Sequence, residues 1–118
     1  MRRKLSAQEA QILTKLLSMP FEGNEEVSEQ LKNCEVESTN DPDNYGSVYI
    51  FPAEQSPPAN VLQRIPVEGV VDDSDDVPIS LLLHVVEGRV SELEIFKQDG
   101  TQIKAAINPV LIKVSRND

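Results

Sequence analysis

Tryptophan is absent from this chain, and tyrosine and phenylalanine supply only 2 and 3 residues. A core without large aromatics has to be assembled from leucine, isoleucine and valine. The single cysteine, Cys34, excludes an intramolecular disulfide and any zinc site that needs several thiolates at set spacing. It fits a reducing, cytoplasmic setting. Basic residues are scarce: 11 Lys and Arg against 20 Asp and Glu give a formal charge of -9. Such a balance repels nucleic-acid phosphates and anionic membrane surfaces unless basic groups gather on one face. Only Arg2, Arg3 and Lys4 are contiguous, and beside a helix start they read as a solvated terminus. No apolar run approaches the roughly 20 residues of a membrane span, and Ser6, Gln8, Glu9 and Gln11 interrupt any signal-peptide pattern. The expectation is a cytoplasmic chain that binds neither nucleic acid nor membrane, with a charge that suits a basic protein partner.

A chain of 118 residues can bury one core without metal or disulfide staples, so a single domain is expected. Ser6-Ala7-Gln8-Glu9 has the form of a capping box, and Ile12, Leu13, Leu16 and Leu17 follow at helical spacing until Pro20 and Gly23 end the pattern. The spacing predicts a helix over residues 7–18. A second helix over 24–32 is predicted from Asn24 as cap, Glu25 and Glu26 in the first turn, and Val27 and Leu31 four apart. At Cys34 the period changes to two, Cys34, Val36 and Ser38 alternating with Glu35 and Glu37, which predicts a strand. Residues 40–46 are turn chemistry, 47–51 the partner strand, and the prolines of 52–58 stop the ladder. Pro66 and Gly69 assign residues 65–71 to an edge strand. Residues 101–107 and 110–114 could each add a strand, with a loose tail beyond.

The longest strand signal is Ile79-Ser80-Leu81-Leu82-Leu83-His84-Val85-Val86 followed by Arg89-Val90-Ser91-Glu92-Leu93-Glu94-Ile95-Phe96, joined at Glu87-Gly88. A two-residue loop would place Leu81 and Leu83 on the face of Glu92 and Glu94. A three-residue loop, Val86-Glu87-Gly88, instead groups Ile79, Leu81, Leu83 and Val85 with Leu93 and Ile95, and that face is predicted to be core. The other face then carries Leu82, His84, Val90, Glu92, Glu94 and Phe96. It is too apolar to be simply wet and too charged to be simply buried, so it is the candidate binding surface, together with the acidic loop of Asp72, Asp73, Asp75 and Asp76.

No arrangement here is one that a particular reaction requires. His84 is the only histidine, so any Ser-His-Asp or Cys-His machine must use it, yet no G-x-S-x-G elbow, phosphate-binding loop or G-x-G-x-x-G occurs. His84 with Glu92 or Glu94 could form a cross-strand pair, and these three residues are the resources of the alternative reading, a small hydrolase or metal-dependent enzyme. Asp41, Asp43 and Gly46 match the opening of a calcium loop, but Pro52 stands where a bidentate glutamate is needed. The acidic loop over 72–76 reads as solvated.

Leu13-x-x-Leu16-Leu17, Phe21-x-Gly23, Gln30-Leu31 and the hairpin Leu82-Leu83-His84-Val85-Val86-x-Gly88-Arg89-Val90-Ser91-Glu92-Leu93-Glu94-Ile95 with Asp99-Gly100 resemble a family of small bacterial proteins of unknown function. Many of its members carry a Cys-x-Cys-x-Cys-Pro-Ser-Val turn where this chain has Asp43-Asn44-Tyr45-Gly46-Ser47-Val48. A metal role for those cysteines is therefore not carried over. The resemblance implies a bacterial, cytoplasmic setting and no activity.

The fold expected is α+β, two N-terminal helices on one face of a mostly antiparallel meander of four to six strands. The function expected is a non-catalytic protein-binding module without cofactor or metal. An immunity-type protein that masks a basic partner is one concrete form, and self-association through the mixed face is its competitor.

Overall fold

A computed structural model describes residues 1–40 and 45–117. Helix α1 spans Ala7–Leu17, opened by the predicted capping box: Glu9 N–H donates to Ser6 Oγ at 3.1 Å and Ser6 N–H to Glu9 Oε1 at 2.9 Å. Ile12, Leu13 and Leu16 form its buried stripe. Helix α2 spans Asn24–Leu31, but Asn24 does not cap it. Its amide donates backwards to Leu17 O and Met19 O, closing the end of α1, while Gly23 in the left-handed region stands at the α2 N-cap.

Among the described residues six strands form one sheet: β1 (Glu35–Ser38), β2 (Val48–Phe51), β3 (Val67–Asp72), β4 (Pro78–Val86), β5 (Arg89–Lys97) and β6 (Lys113–Arg116). Their order is β1-β2-β5-β4-β3-β6 and every pairing is antiparallel. The α+β class is as expected, with both helices on one face, α1 against β3 and α2 against β5. The sheet is more than a meander, because β2 pairs with β5 across a long connection. Residues 65–71 are not an edge: β3 lies between β4 and β6, and Pro66 precedes its ladder. Gly69 is needed there because a Cβ would come within 2.6 Å of Ile112 Cγ2 and 3.0 Å of Leu16 Cδ2. Residues 101–107 form no strand, and a 3₁₀ turn at Pro109–Leu111 leads into β6. The C-terminal segment is not loose. Ser115 and Arg116 lie in β6, and Asn117 donates to Pro66 O through its backbone and to Ile65 O through its side chain.

The β4–β5 hairpin reaches the predicted core by another route. Its loop is the two-residue Glu87-Gly88, Val86 pairing directly with Arg89, and both loop residues have positive φ, 51° and 80°. That is the primed turn whose twist matches antiparallel strands. The register is restored further along, where a bulge between the pairs Val85–Val90 and His84–Glu92 leaves Ser91 as the extra residue. Leu83 then faces Leu93 and Leu81 faces Ile95, all buried. The bulge also turns Val90 inward. It is 2 % exposed and belongs to the core, not to the mixed face.

The terminal arginines are exposed, as expected, but they are also anchored. Arg3 makes a backbone bridge with Val36 on the outer edge of β1, and its guanidinium grips Glu9 through two 2.8 Å bonds. Arg2 lies 3.7 Å over the Phe51 ring. The calcium-like opening at residues 41–44 lies outside the described residues.

Candidate functional site

With both helices on one face, the opposite face of the sheet is the surface left to function. Strand alternation decides what it displays. Cross-strand pairs run Glu37–Tyr49–Glu92–His84 in one row and Glu94–Leu82–Glu68 in the next, with Phe96–Ser80–Val70 beyond. Glu35 and Phe51 stand opposite each other at its corner. Leu82, His84, Glu92, Glu94 and Phe96 therefore share the face predicted for them, joined by Tyr49 and by three more glutamates.

His84 is 8 % exposed and has a partner at each ring nitrogen. Arg64 Nε–H donates to Nδ1 at 3.0 Å, so Nδ1 is the bare nitrogen. Nε2 then carries the proton and donates to Glu94 Oε1 at 2.8 Å. Arg64 was not legible as part of this site, since it comes from the irregular connection between β2 and β3. Its own backbone carbonyl accepts from Val85 N–H at 2.7 Å and holds the connection against the hairpin.

Ligand atoms of His84, Glu92 and Glu94 lie within 4.8 Å of one another, close enough to share a metal ion. The hydrogen bonds argue against the histidine as a ligand in this arrangement. A metal-binding imidazole keeps its proton on the other nitrogen and donates it to an acceptor. Here that other nitrogen faces a guanidinium donor. The Glu92 carboxylate, unlike that of Glu94, makes no hydrogen bond or ion pair among the described residues. Beside the two glutamates is a hollow of about 140 Å³ between β2 and β5, lined among others by Tyr45, Ser47, Tyr49 and Phe96.

The acidic loop belongs elsewhere and is not uniformly solvated. Asp73 and Asp75 turn inward onto Lys97, whose Nζ lies 2.9 Å from Asp73 Oδ2, 2.6 Å from Asp75 Oδ2 and 3.1 Å from Gln102 O. Burial by itself would push the Asp73 carboxyl up. The N–H groups of Lys104, Ser74 and Ala105 together with Lys97 outweigh it and hold Asp73 well below the usual carboxylate range. Burial likewise opposes the Lys97 charge, but Asp75 and Asp73 prevail and raise its pKa. Only Asp72 and Asp76 remain exposed, at the opposite end of β4 from His84. Sequence alone did not bring Lys97 to these acids: alternation puts it on the side of Leu93 and Ile95, where its charge reads as the end of the buried pattern.

A second buried polar group also escaped sequence reading. Gln30 on α2 is fully buried; its Nε2 donates to Pro57 O and Gly88 O, each at 2.8 Å, and its Oε1 accepts from Val90 N–H at 2.8 Å. It ties helix, proline loop and hairpin tip together, so it supports the open face from behind rather than forming part of it.

Among the described residues no helix is long and apolar enough to cross a membrane. Neither the curated proteins nor the solved structures contain a match to this chain. A family described as a domain of unknown function, DUF6984, matches residues 2–107, which takes in both helices, the hairpin and every residue of the open face except those of β6, and the chain belongs to that family.

Proposed function

We propose that this protein is a non-catalytic binding module whose uncovered sheet face docks a basic protein. One observation carries the reading: Glu35, Glu37, Glu68, Glu92 and Glu94 all stand on the face away from the helices, interleaved with Tyr49, Phe51, Leu82 and Phe96. Carboxylates around aromatic and aliphatic side chains suit a positively charged protein surface, with charge guiding the encounter and apolar contact holding it. Masking a basic enzyme in the manner of an immunity protein is a concrete form of this activity, carried out in the cytoplasm. The acidic loop contributes only Asp72 and Asp76, and Val90 contributes nothing.

The test is capture of partners by the tagged protein at low and high salt, alongside two charge variants. Glu35→Lys/Glu68→Lys/Glu92→Lys alters the open face, and Asp72→Lys/Asp76→Lys alters the exposed part of the acidic loop. The expected result is a basic protein that is released by salt, lost with the first variant and retained with the second. Equal retention by both variants would remove the open face from the proposal. Recovery of the chain itself, with a sedimentation coefficient that rises with concentration, would replace a foreign partner with self-association.

A further inference from the structure

Two carboxylates beside an aromatic-walled hollow narrow the chemistry that the open face can take. Glu92 and Glu94 share one side of β5, and Glu92 stands directly opposite Tyr49 on β2. Tyr49 is 40 % exposed, so its ring is available at the mouth. Phe96 continues the aromatic wall along β5. Tyr45 and Ser47, which also line it, are already engaged. Tyr45 Oη donates to Gly100 O at 2.9 Å, and Ser47 Oγ bridges the backbone of Ile95, accepting from its N–H at 2.8 Å and donating to its carbonyl at 3.1 Å. The charged groups facing the hollow are the two carboxylates, and Glu92 has both of its oxygens to offer.

Three kinds of cation could answer this. A divalent metal ion would want His84 as its third ligand, but Arg64 fixes the imidazole with its bare nitrogen away from Glu94 and its proton on the side where a metal would sit. An ammonium can be attracted by an aromatic face, but it is a compact point charge that neither stacks flat nor forks between two carboxylates. A guanidinium is planar, carries five donors in a fork that can serve two carboxylates at once, and stacks on aromatic faces. We propose that the hollow between β2 and β5 is the seat of an arginine side chain of the basic partner, anchored by Glu92 and Glu94 and stacked against Tyr49. This rests on the docking role given above to the open face and names the residue that would anchor it. Glu94 is a positioning residue as well as a contact, because its bond to His84 fixes where its second oxygen points.

The experiment uses the whole protein and a small probe, so it does not depend on finding the partner. Amide and side-chain resonances are followed while N-acetyl-arginine-N′-methylamide is added, with the lysine and citrulline analogues as controls. Saturable shifts confined to Tyr49, Glu92, Glu94 and Phe96 are expected for arginine. The lysine analogue should bind several-fold more weakly, and the uncharged citrulline analogue should give no saturation. Glu92→Gln, which removes a carboxylate without disturbing any hydrogen bond, should weaken arginine binding by about ten-fold or more; Tyr49→Leu should weaken it less. Shifts spread over Asp72, Asp76 and the other exposed acids, unchanged in Glu92→Gln, would overturn the seat. So would saturable Zn²⁺ binding that shifts His84 and excludes the arginine probe, since it would give the cluster to a metal. Failure of the pocket and failure of the docking role are separable. If arginine does not bind but a basic protein is still lost from the Glu35→Lys/Glu68→Lys/Glu92→Lys variant, only the seat is wrong.

Discussion

Lys97 Nζ lies 2.9 Å from Asp73 Oδ2, and both side chains are wholly shielded from solvent. Lys97 extends the core side of β5 beyond Ile95, so its charge enters the molecule at the end of the apolar layer opposite Ile79. The loop after β3 supplies the answer: Asp73 folds back to bind Lys97 and also accepts from the N–H groups of Lys104 and Ala105. One carboxylate thus joins the β3–β4 turn, the end of β5 and the segment after it. The ion pair organises that end of the sheet.

Removing one member of this arrangement leaves the others buried and unmatched, which costs far more than replacing the whole set. Asp73→Ala is expected to lower the melting temperature by on the order of 10 °C or more, whereas Asp72→Ala, at an exposed position, should change it by no more than about 2 °C. Thermal unfolding followed by circular dichroism checks both. Similar melting points for the two variants would show that the buried triad contributes little.

Acid should act through the same residues. The folded-state pKa of Asp73 lies below its unfolded value, and so do those of Asp75, chiefly through its bond to Lys97, and Glu9, chiefly through its bonds to Arg3. Depressed carboxylates stabilise the fold fully above their unfolded pKa, and this contribution declines as pH falls from about 5 toward the folded values. Lys97 has the opposite sign: its raised pKa stabilises below the unfolded lysine value of about 10.4 and is lost as pH climbs through the folded one. Urea midpoints should therefore be flat near neutrality and fall below about pH 5. In Asp73→Asn the midpoint is expected to be lower at pH 7 and the gap from the parent to narrow at pH 3. A gap that widens in acid would contradict this.

Gln30→Leu keeps the volume of the side chain but strands Val90 N–H in the interior and removes the ties to Pro57 O and Gly88 O. The expected loss is about 3 kcal/mol, the cost of leaving buried polar groups unpaired. Hydrogen exchange locates it: Val90 N–H should exchange faster than its strand neighbours. Protection of Val90 equal to the parent's would mean that another acceptor had replaced Gln30.

The turn offers a pair of substitutions with opposite signs. Gly88 has φ of 80°, and a Cβ there would come within 2.9 Å of Ala59 O, so Gly88→Ala should cost at least about 1 kcal/mol. Glu87 holds a φ of 51° that asparagine tolerates better, so Glu87→Asn should gain several tenths of a kcal/mol. Denaturant unfolding of both variants tests the primed turn. Under a three-residue loop with only Gly88 left-handed, Glu87→Asn would bring no gain.

The sequence by itself determined the elements with strong local signals. The capping box of Ser6 and Glu9 set the start of α1, the period of two around Val36 gave β1, and the alternation of Ile79 to Val85 against Leu93 and Ile95 selected the face that is core. From that face it followed that Leu82, His84, Glu92, Glu94 and Phe96 share the other side. These are consequences of helix and strand periodicity, which depend only on neighbours along the chain.

Tertiary structure decided what depends on residues far apart in sequence. Placing Ser91 in a bulge allowed a two-residue turn and an inward Val90, because burying Leu83 against Leu93 outweighs a regular ladder. Lys97 and Asp73 became interior when the turn after β3 met the end of β5, and neither alternation nor charge pattern encodes that meeting. Pro66 lies just before an internal strand and Gly69 sits within it, the latter because α1 and Ile112 close tightly over Gly69. The state of His84 likewise belongs to the fold: its proton lies on Nε2 because Arg64, from a segment with no periodic signal, faces its other nitrogen. Short-range stereochemistry wrote the elements into the chain, and long-range desolvation chose which polar groups had to find each other inside it.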